Sequence, residues 1–226
     1  MTLRPIDRPI LSALTGDQAA FALVHGDALR YPPEVAPFAA LREPTPAAFA
    51  DLRELVGPGA RVALLSTAPL ELPGDWDLVS SRWIDQMVCA APAPQAEDPA
   101  GLVELGTADV PEMLALTELT QPGPFGPRTI ELGRYIGVRA HGRLAAMAGE
   151  RLRPEGHTEI SAVCTHPDFT GRGHAKALML LLMADAARAG RRPMLHVKTE
   201  NGAKHLYAKL GFRVRRAIRL TIIRPR

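Results

Sequence analysis

The residues best able to do chemistry in this chain form one run, Val163-Cys164-Thr165-His166-Pro167-Asp168-Phe169-Thr170-Gly171-Arg172-Gly173-His174-Ala175. Alternation over Glu159 to Thr165 predicts a strand, and apolar spacing through Leu178, Leu181, Leu182 and Ala186 predicts a helix from about His174 to Ala189, closed by Gly190. Between them, Gly171 and Gly173 let the backbone approach a ligand and aim successive N–H groups at it. The helix N-terminus behind them adds a dipole that favours an anion, so the geometry suits a pyrophosphate. The run is not a P-loop, because the Lys-Ser/Thr ending is missing. Nor is it a dinucleotide fingerprint, because the third glycine and the acid about 20 residues on are missing. Cys164 and His166 raise a thiol-nucleophile reading. With Cys164 on the apolar strand face and no third group to orient the histidine, a buried structural thiol is the better reading.

Downstream lies Leu195-His196-Val197-Lys198-Thr199-Glu200-Asn201-Gly202-Ala203-Lys204-His205-Leu206-Tyr207-Ala208-Lys209-Leu210-Gly211-Phe212, which reads as strand, short helix closed by Gly211, and strand. The glycine loop and this segment, in that order, closely resemble the GNAT superfamily of acyl-CoA-dependent N-acyltransferases over residues 101–226. The resemblance implies an α/β (α+β) fold: a mixed, mostly antiparallel twisted sheet with a central splayed parallel strand pair and flanking helices. It also implies acetyl-CoA as co-substrate, with backbone N–H groups of Thr170, Gly171, Arg172, Gly173, His174 and Ala175 holding the pyrophosphate. The strand end Val163, Cys164 and Thr165 would pair with the pantetheine arm. Asn201 would bond the pantetheine or the acyl end, and Tyr207 would protonate the departing thiolate. In two places the chain departs from the family: Thr170 stands where Gln or Arg is usual, and Asn201 precedes Tyr207 by six residues rather than seven, Glu200 taking the seventh place.

The chemistry is coherent by itself. An amine attacks a thioester carbonyl, charge develops on oxygen and then on sulfur, and backbone N–H groups near Val163 to Thr165 can meet the oxyanion. A phenol of pKa about 10 can protonate a thiolate whose conjugate acid is near 8.5 only if it is well placed. Glu159, Glu150 or water can serve as base. Glu159 is favoured, because alternation sets it with Ser161, Val163 and Thr165 on one strand face. The expected acceptor is a small amine or a peptide. A non-catalytic acyl-CoA sensor is the rival reading.

The elements that must position these residues can be outlined from composition. At 46% hydrophobic and 23% charged, the chain has the make-up of a soluble globular protein. It has no apolar run near the roughly 18 residues of a membrane span and no secretory leader at Met1-Thr2-Leu3-Arg4-Pro5. Two cysteines, Cys89 and Cys164, and no CxxC pair argue against a disulfide framework or a metal site. The expectation is a cytoplasmic protein, monomer or homodimer, with neither membrane nor nucleic acid as partner. Pro- and Ala-rich residues 91–100 read as a linker between an N-terminal α/β region, 1–90, and the domain at 101–226. Helix, strand and long strand succeed one another in the N-terminal region as in a degenerate half of the same fold. Thr15 and Gln18 have capping-box spacing ahead of Ala19 to Val24, and Thr45-Pro46 opens a helix stopped by Gly57. Asp77 to Cys89 reads as a long strand, with Trp76 and Trp83 as core or interface anchors. The N-terminal region and the Pro/Gly loop, taken from Thr120 to Thr129, are candidate walls of the acceptor pocket.

Charge is uneven. Residues 191–226 hold eleven Lys/Arg and a single acid, Glu200, whereas the whole chain is only +3. Lys198, Lys204 and Lys209 stand near the coenzyme motif, where positive potential would serve phosphates. The arginines from Arg213 to Arg226 are expected to be mostly solvated.

Overall fold

Proline and glycine set the helix ends. The computed structural model describes residues 3–92 and 94–226; Met1, Thr2 and Ala93, the last inside the expected linker, lie outside the described residues. Helix α1 (Pro9–Thr15) and α2 (Pro46–Val56) each carry a proline in the first turn, where a missing N–H costs nothing. The Thr45 hydroxyl accepts from the Ala48 N–H at 3.2 Å, and Gly57, at φ 74°, ends α2. The helix expected over Ala19 to Val24 does not form. Ala19–Phe21 makes one 3-10 turn, and Leu23–His25 is strand β1. Gln18 does not cap because its side chain is used in the core: its Nε2 donates to the Arg151 carbonyl (2.7 Å), and its Oε1 accepts from the Tyr31 hydroxyl (2.7 Å).

The remaining elements follow in order: β2 (Ala28–Arg30), β3 (Phe38–Leu41), β4 (Val62–Ser66), β5 (Trp76–Cys89), β6 (Leu102–Glu104), α3 (Val110–Thr120), β7 (Tyr135–Ala140), β8 (Arg143–Glu150), β9 (His157–Thr165), α4 (His174–Arg188), β10 (Arg192–Lys198), α5 (Lys204–Lys209) and β11 (Phe212–Pro225). The strands form one eleven-stranded sheet in the order β1-β2-β3-β4-β11-β5-β10-β9-β8-β7-β6. Pairing is antiparallel except at β3–β4 and β9–β10, as the expected mixed, mostly antiparallel fold requires. Helices cover both faces. Leu178, Met179, Leu182 and Met183 of α4 pack on Leu195 and Val197 of β10, on the face opposite His196 and Lys198. On that opposite face, α1 packs over Ala63, Leu65, Leu220 and Ile222, and α3 over Ala162 and Cys164.

Strand β5 precedes the linker yet lies between β10 and β11, antiparallel to both. In turn β11, the last strand, lies between β5 and β4. The linker therefore divides the chain but not the sheet. The same exchange gives most of the C-terminal arginines partners, although Arg213, Arg216 and Arg226 remain exposed as expected. Arg215 and Arg216 pair with buried Asp7 (2.8 and 2.6 Å), and Arg224 and Arg226 pair with Asp77 (2.9 and 2.8 Å). Arg219 donates to Ser81 and lies over the Trp83 ring, 5.1 Å from its centroid. Trp76 is buried against Phe49, edge to face, whereas Trp83 is 42% exposed and serves as this arginine platform.

A fragment comprising residues 101–226 lacks the strand that joins β10 to β11. It is expected to give a broad, non-cooperative thermal transition by circular dichroism, and co-expression of residues 1–100 is expected to restore a cooperative one.

Candidate active site

The parallel pair β9–β10 is in register for three residue pairs only, Arg192–His157, Pro193–Thr158 and Met194–Glu159. Beyond Glu159 the strands part. The β9 edge from Ile160 to Thr165 then faces a gap, while its other edge stays bonded to β8. Ala162, at φ 52°, is a bulge: Gly149 pairs with Ser161 and Met147 with Cys164, so the register slips between them. The slip overturns the simple alternation expected for this strand. Val163 packs with Ile160 on the α4 side, and Ala162 and Cys164 pack on the α3 side. Glu159, Val163 and Thr165 therefore do not share one face.

Glu159 is fully buried, and both its oxygens are taken. Arg151 donates to it through Nε (3.0 Å) and Nη2 (2.8 Å), and His196 Nδ1 lies 2.8 Å from Oε1. Burial alone would raise the carboxyl pKa; Arg151 and His196 outweigh it and hold the group well below the usual carboxylate range. This does not fit the base expected at Glu159, because an ionised carboxylate held by three hydrogen bonds and a buried guanidinium is a weak proton acceptor. Glu150 is also buried and bonded, to Arg153 at 2.7 Å. The His196 tautomer follows from its neighbours. Gln86 Oε1 accepts from Arg215 (2.7 Å) and its Nε2 donates to the Ile6 carbonyl (2.9 Å), which leaves Nε2 as the donor to His196 Nε2 (3.1 Å). His196 then accepts at Nε2 and donates from Nδ1 to Glu159.

The glycine loop is built as an anion nest. After a 3-10 turn at Pro167–Phe169, Gly171 and Gly173 adopt φ 75° and 80°, and nothing lies within 4 Å of where a Cβ would stand on either. The first helical bond of α4 runs from the Ala177 N–H to the Gly173 carbonyl, which leaves the N–H groups of His174, Ala175 and Lys176 without a helical acceptor. Thr170 bonds back to the Pro167 carbonyl (3.1 Å), so its side chain stabilises the turn. Arg172 lies over the Phe169 ring, 5.2 Å from its centroid. Open approach and orphan donors fit a bound pyrophosphate.

A cleft of about 840 Å³ runs from the gap across the sheet. It is lined at one end by Val163, Cys164, Thr165, Asn201 and Tyr207, and at the other by Phe38, Arg61 and Arg82. Leu195 and Val197 from one face of β10 and His196 and Lys198 from the other all line it, so the cleft passes through the sheet. Asn201 reaches it and Glu200 does not; the Asn201 Oδ1 also accepts from the Ala203 N–H at 2.9 Å. Tyr207 is buried beside Phe212, and burial raises its pKa. Burial pushes the Cys164 thiol up to about 11, so it stays protonated, as a structural cysteine does. Of the three lysines expected near the coenzyme, Lys198 lines the cleft, Lys204 is paired with Asp85, and Lys209 is exposed outside it.

The N-terminal half, expected to contribute to the acceptor pocket, lines the cleft with residues that the sequence did not single out. Pro37, Phe38, Arg61 and Val62 line the cleft alongside Thr120 to Pro124. Residues farther along the same loop are tied to that half: Thr129 donates to the Val35 carbonyl (2.6 Å), and Arg128 pairs with Glu34 (2.9 Å). Among the described residues, no helix is long and apolar enough to cross a membrane and no His/Cys/Asp/Glu cluster could hold a metal.

Residues 135–220 match a family model described as FR47-like protein. A protein of solved structure from Novosphingobium aromaticivorans DSM 12444, described as an acetyltransferase from the GNAT family, is 39% identical over 99% of this chain and 100% of that one, with a TM-score of 0.91. A GCN5-related N-acetyltransferase from Kribbella flavida is similar in fold, at 19% identity over 98% and 96% of the two chains, with a TM-score of 0.65. No curated protein matches the chain significantly.

Replacing Glu159 with Gln leaves the buried Arg151 uncompensated and is expected to destabilise the fold by roughly 3–5 kcal/mol, measured by denaturant unfolding. The folded-state pKa of Glu159 is depressed, so its contribution is present above the unfolded value of 4.5 and is lost as pH falls through the folded one. The wild-type advantage over Glu159→Gln should therefore shrink only as pH drops below that value. An advantage that grew on acidification would contradict the ion pair.

Proposed function

Since the chain belongs to the GNAT family and is an acyl-CoA-dependent N-acyltransferase, we propose that it transfers the acetyl group of acetyl-CoA directly to a primary amine within a ternary complex. The observation that carries this reading is the forked β9–β10 pair, with the glycine loop at its open end and Tyr207 in the gap. In this reading the backbone N–H groups from Thr170 to Ala175 bind the pyrophosphate. The unpaired edge of Val163, Cys164 and Thr165 bonds the pantetheine amides, as a sheet edge bonds an added strand. Asn201, whose side-chain oxygen already accepts from the Ala203 N–H, offers its amide NH₂ to the same arm.

The neutral amine attacks the thioester carbon, a C–N bond forms, and the oxyanion is met by backbone N–H donors near the bulge. The C–S bond then breaks and its electron pair goes to sulfur, which takes a proton from the Tyr207 hydroxyl. The proton lost by the amine restores Tyr207 through water in the cleft. The raised pKa of Tyr207 keeps the phenol protonated at neutral pH, the state a general acid needs. With Glu159 and Glu150 both committed to arginines, water carries the proton from the amine.

The N-terminal half is in this reading a degenerate copy of the fold. In each half a parallel strand pair, β3–β4 or β9–β10, is flanked by the long strand of the other half. Its loop between β3 and α2, Arg42 to Thr45, has no glycine and so no comparable nest.

Tyr207→Phe is expected to lower kcat by on the order of 10²-fold while leaving the affinity for acetyl-CoA, measured by calorimetry, within about twofold. An unchanged kcat in a thiol-release assay would remove Tyr207 from the mechanism. Tight binding of acetyl-CoA without thiol release on any amine would favour a sensor. Gly173→Val, strained at φ 80° and intruding on the nest, is expected to weaken acetyl-CoA binding at least about tenfold.

A further inference from the structure

The cleft has a second arm beyond the gap, over the sheet face made by β10, β5, β11 and β4. Register puts Leu65, Leu220 and Arg82 in one row across that face, and Ala63, Ile222 and Ser80 in the next. Lys198 stands opposite Ile84 on β10, and Arg61 stands two residues before Ala63, on the same face. The charged side chains lining the cleft are Arg61, Arg82, Arg151 and Lys198, and none is an acid. Among the described residues, Arg61, Arg82 and Lys198 have no carboxylate within ion-pairing distance. That contrasts with the C-terminal arginines paired to Asp7 and Asp77. Arg151 gives Nε and Nη2 to Glu159 and lies 4.9 Å over the Phe38 ring, so its plane is fixed while Nη1 stays uncommitted, facing Gly123 of the loop.

Arg82 and Lys198 stand on neighbouring strands two residues out of register, Arg61 lies farther along the arm just before β4, and together they give it a positive field that favours a bound anion. The coenzyme phosphates are not that anion. Their nest at Thr170 to Ala175 does not line this arm, and β5 and β4 lie two and four strands from β9, about 10 and 19 Å at the usual strand spacing.

We propose that the acceptor is a small amine that also carries an acidic group, and that Arg82 and Lys198 receive this group, with Arg61 adding positive field from farther along the arm, while the amine reaches the gap past Arg151. The proposal rests on the acyltransferase reading and adds the acceptor class to it. The transfer is the one already written: the C–S bond breaks, the C–N bond forms, and the acidic group is a handle that takes no part in the bond changes. Arg151, held rigid by Glu159 and Phe38, presents Nη1 to the acceptor and discriminates by geometry. Arg82, Arg61 and Lys198 supply the field.

The test uses the full chain, acetyl-CoA, and acceptors matched except at the acid: amino acids against their C-terminal amides, and an aminoalkyl phosphate against the parent amino alcohol. Thiol release and product mass are both measured. The acidic member of each effective pair is expected to show a kcat/KM at least about tenfold higher, and comparison of the two pairs tells carboxylate from phosphate. Arg82→Glu is expected to abolish that preference, chiefly through KM, with acetyl-CoA affinity by calorimetry unchanged within about twofold. Arg82 is exposed, so folding should persist, which a thermal melt checks; Arg61→Glu gives a second, independent substitution. Equal or better turnover of the neutral amines, or a preference untouched by both substitutions, overturns the proposal and leaves acyl transfer standing. Failure to bind acetyl-CoA at all would overturn the acyltransferase reading and this proposal with it.

Discussion

The Glu159–His196 hydrogen bond sits where β9 and β10 last touch. Glu159 is the final residue of β9 in register with β10, and His196 lies two residues past its partner Met194. A sheet left to itself would continue the ladder, since unpaired N–H and C=O groups are costly away from water. The bulge at Ala162 turns β9 aside, and the fork is pinned at its root by a buried carboxylate shared between a histidine and a stacked arginine. Because Arg151 and Glu159 are bonded at two points, neither can relax without stranding the other's charge. The cleft, the free strand edge and the placement of Tyr207 all depend on the fork staying open at one end and shut at the other.

The same root connects the two halves of the chain. From His196 the contacts run through Gln86 on β5 to Arg215 on β11, and from there to Asp7 before α1. Each of these residues comes from a different part of the sequence, and the polar groups of the chain are satisfied only when all are in place. Strand exchange makes this possible. With β5 and β11 each embedded between strands of the other half, the basic C-terminal segment meets the acids of the N-terminal half inside one molecule. The charge asymmetry is thus in good part an internal matter, and Arg61, Arg82 and Lys198 are among the cations left without an ion-pair partner.

Much of the C-terminal half was legible because its signals are local. The strand–glycine loop–helix unit, the Gly190 and Gly211 helix ends, and Tyr207 on a short helix depend on residues adjacent in the chain. Residues 1–44 were poorly legible for the converse reason. Gln18 looks like a capping residue, but its bonds go to Arg151 and Tyr31, and β1 to β3 are three- and four-residue strands whose pairing no periodicity announces. Glu159 illustrates the same limit within the site. Strand spacing proposes it as a base, whereas the buried partners that quench its basicity come from the end of β8 and from β10.

By itself the sequence determined the family resemblance, the mixed sheet, the glycine turn ahead of α4 and the short helix that carries Tyr207, because short-range backbone geometry and motif spacing specify them. Only the tertiary structure decided that β5 completes the C-terminal arm, that Glu159 is a held counterion, that the arginines of β11 are paired, and that Arg61 and Arg82 share a cleft with Lys198. Those outcomes depend on which strands become neighbours and where a bulge reverses a face. Such choices are made by packing and charge pairing among residues far apart in the chain.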